Sequence, residues 1–390
     1  HFPSGDISQK MASLNKKVSP SNVNLPNDLV LNILSRLPVK SLKRFSCVQK
    51  SWANLLEDPH FVDIYYENLT SKTRDSCLLL NQHVPNTVES YLFLLFGERY
   101  ENRVKFDWPS PFHEDNESVI VVGSCVNGTI CLQRVSMIDT TTSIKVLLWT
   151  PKTKEFKVVP PSLTAEPELQ FQITITGFGY DHVTDDYKLI QNVLVHALNN
   201  DYAEVNPPLP GQFWQIYSVK SNCWRNLDLE MTCDVFPQPV GLAVYLNGVC
   251  HWLACEDHNQ EPYDTDVLLV SFDMSSEMFV TTLISRYNHH DFCDRYLVVL
   301  KESVAVISMF ENNNCFDVSI LGEAGVEESW VKLFTVGLPT CVDHPIGAGK
   351  NGDIFFRKYD GELVWYDFSS KTIKEIGIKG EFCYSQTVML

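Results

Sequence analysis

Two hydrophobic periods divide this chain. Between Asn24 and Asp58 apolar residues recur every three or four positions, the spacing that lines one face of a helix. Leu29, Val30, Ile33, Leu34 and Leu37 form a broad stripe, with Asn24 as N-cap, Pro26 in the first turn and Pro38 as the stop; together they predict a first short helix. Leu42, Phe45 and Val48 predict a second, and Val48, Trp52, Leu55 and Leu56 a third that ends at Asp58-Pro59. From about Cys77 onward the text becomes strand-length runs of Val, Ile, Leu, Phe, Tyr and Trp, broken by Asn-Gly, Asp-Gly and Ser-rich turns.

Two phrases recur within that second part. The first is a hairpin, seen in Cys125-Val126-Asn127-Gly128-Thr129-Ile130, in Leu246-Asn247-Gly248-Val249-Cys250-His251-Trp252 and in Asn351-Gly352-Asp353-Ile354. The second runs aromatic, polar turn, apolar, beginning at Trp149, Tyr217, Phe272 and Tyr366. They return at roughly 45–70 residues, the scale of propeller blades of about 50 with loop insertions. One four-stranded blade cannot cover its own apolar faces, so blades stack around an axis. An all-β propeller of about six blades is the predicted fold; a β-sandwich, the runner-up, needs no phrase repeated at this spacing.

Helices as short as the three at the amino end are marginal alone, and ~35 residues do not bury so many Leu, Ile, Phe and Trp among themselves. Either a partner covers them, or they cap the rest of the chain.

Here a resemblance becomes specific. Leu25-Pro26, Leu29, Ile33-Leu34, Leu37-Pro38, Lys40-Ser41-Leu42, Arg44-Phe45, Cys47-Val48 and Lys50-Ser51-Trp52 resemble the F-box of plant F-box proteins, a many-position pattern with fixed spacing. The resemblance implies an all-α three-helix F-box that docks on a Skp-type adaptor and through it reaches cullin and RING subunits. It makes Leu25, Pro26, Leu29, Ile33, Leu34, Leu37, Pro38, Leu42, Val48 and Trp52 the candidates for that contact or its support, with Phe45 and Leu55 as candidates for internal core. The later text, including Trp149-Thr150-Pro151-Lys152-Thr153 and Gly177-Phe178-Gly179-Tyr180-Asp181, is similar to the F-box-associated, kelch-like interaction domain of the same proteins. The S-locus F-box type, whose members recognise basic ribonucleases, shares the general pattern. The expected organisation is a disordered segment over 1–23, an F-box over 24–68 and a propeller over 77–390, mixed in class; Met11 reads as an initiator, with residues 1–10 as leader.

The implied work is target recognition for ubiquitination and proteasomal degradation, the chain itself carrying no catalysis and needing no cofactor. Two other readings stand beside it: a protein-interaction scaffold acting without the ligase, and a kelch-like hydrolase or oxidase.

Composition sharpens the partner. Net charge is −17; Asp6 and Asp28 are the only acids in residues 1–50, so the excess of negative charge belongs to the large module. That disfavours nucleic acid and leaves two readings, a charge that serves solubility and a surface that suits a basic protein target. No apolar run approaches the ~20 residues of a membrane span, the most apolar being the strand-sized Tyr91 to Phe96. The 12 cysteines are scattered singly without a CxxC pair, which fits a reducing cytosolic or nuclear compartment. His289-His290-Asp291-Phe292-Cys293-Asp294 and the group Cys250, His251, Cys255 and His258 lack zinc spacing and read as loop and core respectively. Asp185-Asp186 and Glu327-Glu328 read as solvated turn carboxylates rather than a glycosidase pair. Segments 97–118, 196–211, 255–266 and 286–295 are the expected target-contact loops.

Overall fold

Tight hairpins with positive backbone angles set the architecture. Asn127 and Gly128 have φ of 49° and 79°, and Asn247 and Gly248 have 50° and 88°, the succession whose twist matches that of the flanking strands. The second phrase is equally regular. Trp149, Tyr217, Phe272 and Tyr366 are each followed five positions later by a residue at positive φ: Lys154 (62°), Asn222 (55°), Glu277 (59°) and Lys371 (52°).

A computed structural model describes residues 27–37, 39–46, 50, 52, 54, 61, 78–83, 90–96, 100, 102–112, 119–138, 141–163, 169–197, 211–227, 235–237, 243–256, 266–285, 293–300, 302–310, 315–337, 341–349, 352–367, 370–379 and 386–389. Helices α1 (Asn27–Leu34) and α2 (Val39–Ser46) come first. Six antiparallel sheets follow, one per blade. Blade one holds β1 (Leu78–His83), β2 (Ser90–Phe96) and β3 (Asn102–Phe106). Blade two holds β4 (Val119–Val126), β5 (Thr129–Ile138), β6 (Thr141–Thr150) and β7 (Glu155–Val159). Blade three holds β8 (Leu169–Asp181), β9 (Asp186–Ala197), β10 (Gln212–Ser218) and β11 (Cys223–Asn226). Blade four holds β12 (Val235–Pro237), β13 (Val244–Leu246), β14 (Val249–Glu256), β15 (Asp266–Asp273) and β16 (Phe279–Ser285). Blade five holds β17 (Cys293–Leu300), β18 (Ser303–Phe310), β19 (Cys315–Ile320) and β20 (Val331–Gly337). Blade six holds β21 (Val342–Ala348), β22 (Ile354–Lys358), β23 (Glu362–Asp367) and β24 (Thr372–Lys379).

The last strand, β25 (Gln386–Met389), returns to blade one and pairs with β1, Met389 opposite Leu78. Sequence-distant ends thus close the ring, and β25, β4, β8, β13, β17 and β21 follow one another around the axis. The six-bladed all-β propeller is the fold that the repeat spacing predicts. No described helix is long and apolar enough to cross a membrane.

Blade four departs from the pattern. Its inner position is split, β12 pairing with the end of β14 (Val235 opposite Glu256) and β13 with its start (Val244 opposite His251). From there β13 reaches past blade three: Tyr245 N donates to Ser124 Oγ at 3.2 Å, and a Cβ built on Gly123 (φ 72°) would lie 3.4 Å from Ala243 O. Blades two and four are not neighbours, so β13 leans across the axial opening.

Strand order also assigns the connections to faces. In an antiparallel blade, the first-to-second and third-to-fourth connections share one face, and the second-to-third and blade-to-blade connections share the other. The first face carries short turns such as 127–128, 151–154, 182–185 and 247–248. The second carries the long connections 107–118, 198–211, 257–265 and 286–292. Three of the four expected contact segments therefore leave from one face, although most of their residues lie outside those described. The fourth, 97–118, is not one loop, because it contains β3. Leu78, opposite Leu95 beside the β2–β3 turn, enters on the first face.

The Gly177-Phe178-Gly179 stretch lies within a strand rather than at a turn. Both glycines sit inside β8, where blade four packs on the backbone: a Cβ on Gly177 would meet Cys250 Cβ at 3.3 Å, and one on Gly179 would meet Met274 Cε at 2.5 Å and Tyr245 Cδ2 at 2.8 Å. Gly179→Ala is expected to cost about 1–3 kcal/mol in urea unfolding by overpacking this seam. Gly211→Ala, with nothing within 4 Å of its Cβ, is the neutral control.

Candidate functional site

The amino-terminal helices have two apolar faces with different fates. Leu29 and Ile33, four positions apart on α1, are 51% and 52% exposed. Leu34, on the neighbouring face, is buried, as are Leu42 of α2 and Phe61. These three belong to one continuous apolar cluster with Val298, Leu300, Ile307 and Phe316 of blade five and Val342, Ile354, Phe356 and Tyr366 of blade six. Val30, Leu31, Leu37 and Trp52 pack against that cluster half-buried. Phe45, a candidate for internal core by sequence, is instead 38% exposed, its ring edge-on to Trp52 at 5.7 Å.

The end of α1 tightens ahead of Pro38. Ser35 N donates to Leu31 O at 2.9 Å, whereas Arg36 N reaches only back to Ile33 O at 3.2 Å and Leu37 N to Leu34 O at 3.1 Å. The helix therefore stops with Leu34 turned inward and Ile33 outward. Of the docking candidates, Leu25, Pro26, Pro38 and Val48 lie outside the described residues. Leu29 and Ile33 form an exposed pair, Leu37 and Trp52 are half-buried against the interior cluster, and Leu34 and Leu42 are interior. In the third predicted helix, Lys50, Trp52 and Asn54 are described and helical; Leu55 is outside.

The acidic and histidine candidates on the propeller are fastened into its framework. Asp181 accepts hydrogen bonds from Lys188 Nζ (2.8 Å), Ser275 Oγ (2.6 Å), Thr184 Oγ1 (2.6 Å) and Val183 N (2.9 Å). Lys188 Nζ also donates to Met274 O at 2.8 Å and Glu277 Oε1 at 2.9 Å, and Glu277 pairs with Arg225. Blades three and four are thereby joined by a largely buried ionic network. Asp186 is buried and accepts from Ser218 Oγ at 2.5 Å and Lys220 N at 2.9 Å, while Asp185 is exposed beside Lys220. The two carboxylates hold a turn in different surroundings, and Glu327 and Glu328 lie on an exposed short helix.

His251 is interior, its Nδ1 2.8 Å from Ser271 Oγ, and burial pulls its pKa down to about 4. Cys250 donates to Phe178 O at 3.2 Å, and burial pushes its thiol pKa up. Among the described residues no group of three or more His, Cys, Asp or Glu is arranged to hold a metal ion; His258, His289 and His290 lie outside them. The histidine predicts a pH dependence. A folded pKa below the unfolded value of about 6.5 means that its share of stability is complete above that value and is lost as pH falls through about 4. Urea unfolding between pH 7 and pH 4 should show a decline on the order of 3 kcal/mol that His251→Asn removes.

Comparison with known families places these features. Residues 23–63 match the F-box domain, and residues 136–389 match the F-box associated beta propeller domain. The chain belongs to the F-box-associated propeller proteins. The F-box protein CPR1 of Arabidopsis thaliana is 24% identical to this F-box protein over 91% of its chain and 84% of the relative's. F-box protein At1g30790 of the same plant is 25% identical over 91% of this chain and 90% of its own. Putative F-box protein At3g16210, also from Arabidopsis, is 26% identical over 68% of this chain, which spans 61% of that relative's length. The propeller of the F-box protein begins before the matched stretch, since blade one and β4 precede residue 136.

The two faces of α1 were not separated by sequence reading, which took its apolar residues as one stripe. The signal was present: Leu29 and Ile33 are spaced i, i+4, and Leu34 falls about a third of a turn away.

Proposed function

We propose that this chain is the substrate-recognition subunit of a Skp-cullin-F-box ubiquitin ligase. The observation that carries the reading is the Leu29–Ile33 pair, two large aliphatic side chains left half-exposed on a helix inside the matched F-box. Exposed apolar anchors beside an otherwise buried module are what a partner helix or groove covers. In this reading a Skp-type adaptor completes that face and brings the cullin and RING subunits, which supply ubiquitin transfer. The F-box protein contributes effective concentration, holding a target beside the ubiquitin-charged enzyme for proteasomal degradation.

The propeller's second face takes the target. The connections on it contain about twenty Asp and Glu and a single Lys or Arg, Arg286, whereas acids and bases nearly balance on the first face. A basic protein is the matching target, and nucleic acid is repelled. β13 approaches β4 beside the axis, Tyr245 N donating to Ser124 Oγ, which narrows the place where a propeller enzyme would seat a substrate and favours binding over catalysis. The place of work is the cytosol or nucleus; Cys125, Cys131, Cys223, Cys250 and Cys315 are all thiols, as a reducing compartment keeps them.

Reconstitution tests the reading. The full chain, mixed with a plant Skp adaptor, cullin, RING subunit and charged ubiquitin enzymes, should co-elute with the adaptor and acquire ubiquitin only when all are present. Failure to co-elute rejects the assignment.

A further inference from the structure

The exposed face of α1 has an explanation in a partner; its buried face raises a separate question. We infer that Leu34, Leu42 and Phe61 are positioning residues that seat the F-box helices on the seam between blades five and six, so that the adaptor face and the target face are held in one fixed geometry.

The contact stands on burial and on where the seam lies. The three side chains are 4%, 3% and 2% exposed, and their cluster is continuous with strands of both blades. The cluster runs the depth of both blades, from Leu300, Ile320 and Ile354 beside the first face to Phe316 and Val342 beside the second, so the helices are seated on a wall rather than on a single loop.

The linker does not force this arrangement. Residues 62–77 would reach up to about 55 Å if extended, enough for a free tether. Burying three large apolar side chains outweighs closing a loop of this length, whose entropic cost grows only with the logarithm of its length. Docking prevails.

The consequence for ubiquitin transfer rests on the ligase reading; the contact itself does not. A rigid arm presents one set of target lysines to the charged enzyme, whereas a tether samples many. Leu29 and Ile33 point away from the seam, so adaptor capture and seating are separable.

Spin labels at Arg36 and Lys152, both exposed, report the geometry in the full chain. A docked F-box gives one narrow distance distribution, unchanged on adding the adaptor, and Phe61→Asp broadens it without shifting the propeller's melting temperature. A broad distribution in the unaltered chain overturns the proposal, whatever the variant does. In the reconstituted ligase, Phe61→Asp should keep adaptor capture while spreading ubiquitin over more lysines of the propeller; an unchanged lysine pattern with broadened distances overturns the positioning role. Narrow distances in a chain that never captures adaptor would leave the seating in place and remove the ligase reading instead.

Discussion

Lys188→Ala is expected to lower the unfolding free energy by about 3 kcal/mol or more, measured by urea denaturation at pH 7. The ammonium is the hub between two blades, within 2.9 Å of Asp181, Met274 O and Glu277. Asp181 is fully buried, so removing its counter-charge strands a carboxylate that water cannot reach. Arg225→Ala at the rim of the same network should cost less than about 1 kcal/mol, because its side chain is 53% exposed and its pairing is screened. Acid narrows the gap. Burial by itself would raise the pKa of Asp181, but hydrogen bonds from Lys188, Ser275, Thr184 and Val183 N hold it well below the ordinary carboxylate value. Glu277 is likewise lowered, against burial, by Arg225 and Lys188. Both folded values are depressed, so the network's contribution is complete above the ordinary carboxylate range and fades as pH falls through the folded values.

Removing residues 386–390 should cost still more, at least about 4–5 kcal/mol by thermal unfolding. β25 is the inner strand of blade one, and without it β1 loses its ladder from Leu78 to Asn81 on the axial side. Leu78, Leu79 and Leu80 are at most 1% exposed, so opening that edge wets a fully buried row. Hydrogen exchange at the amides of β1 should accelerate first, while those of blade four, farthest around the ring, keep their protection.

The propeller was legible because its signals are local and repeated. Asn127-Gly128 and Asn247-Gly248 announce mirror-image turns, and the aromatic residue five positions ahead of Lys154, Asn222, Glu277 and Lys371 marks the same outer hairpin in four blades. Blade closure was not legible, since nothing local ties Gln386–Met389 to Leu78–His83, about 300 residues earlier; pairing over that separation is decided by the ring as a whole. The leaning of β13 across the axis was hidden for the same reason. Gly177 and Gly179 were visible as a motif, but their purpose, close approach by Tyr245, Cys250 and Met274, depends on a neighbouring blade.

The site divided similarly. Pattern matching located the F-box and named Leu29, Ile33, Leu34 and Leu42 alike, since helical period cannot distinguish a face that meets the chain's own blades from one that meets another protein. Only the position of blades five and six separates Leu34 and Leu42 from Leu29 and Ile33. The acidity of the large module was present in composition, and strand order was needed to show that its acid-rich connections leave from one side of the propeller.

Calorimetric titration of a Skp-type adaptor into the full chain and into a Leu29→Asp, Ile33→Asp variant reaches the center of this account. Two half-exposed aliphatic anchors replaced by charge should weaken binding by 100-fold or more, about 3 kcal/mol, while the melting temperature stays within a few degrees of the parent. Equal affinity in a variant that remains folded would mean that the exposed face of α1 is not where the adaptor binds.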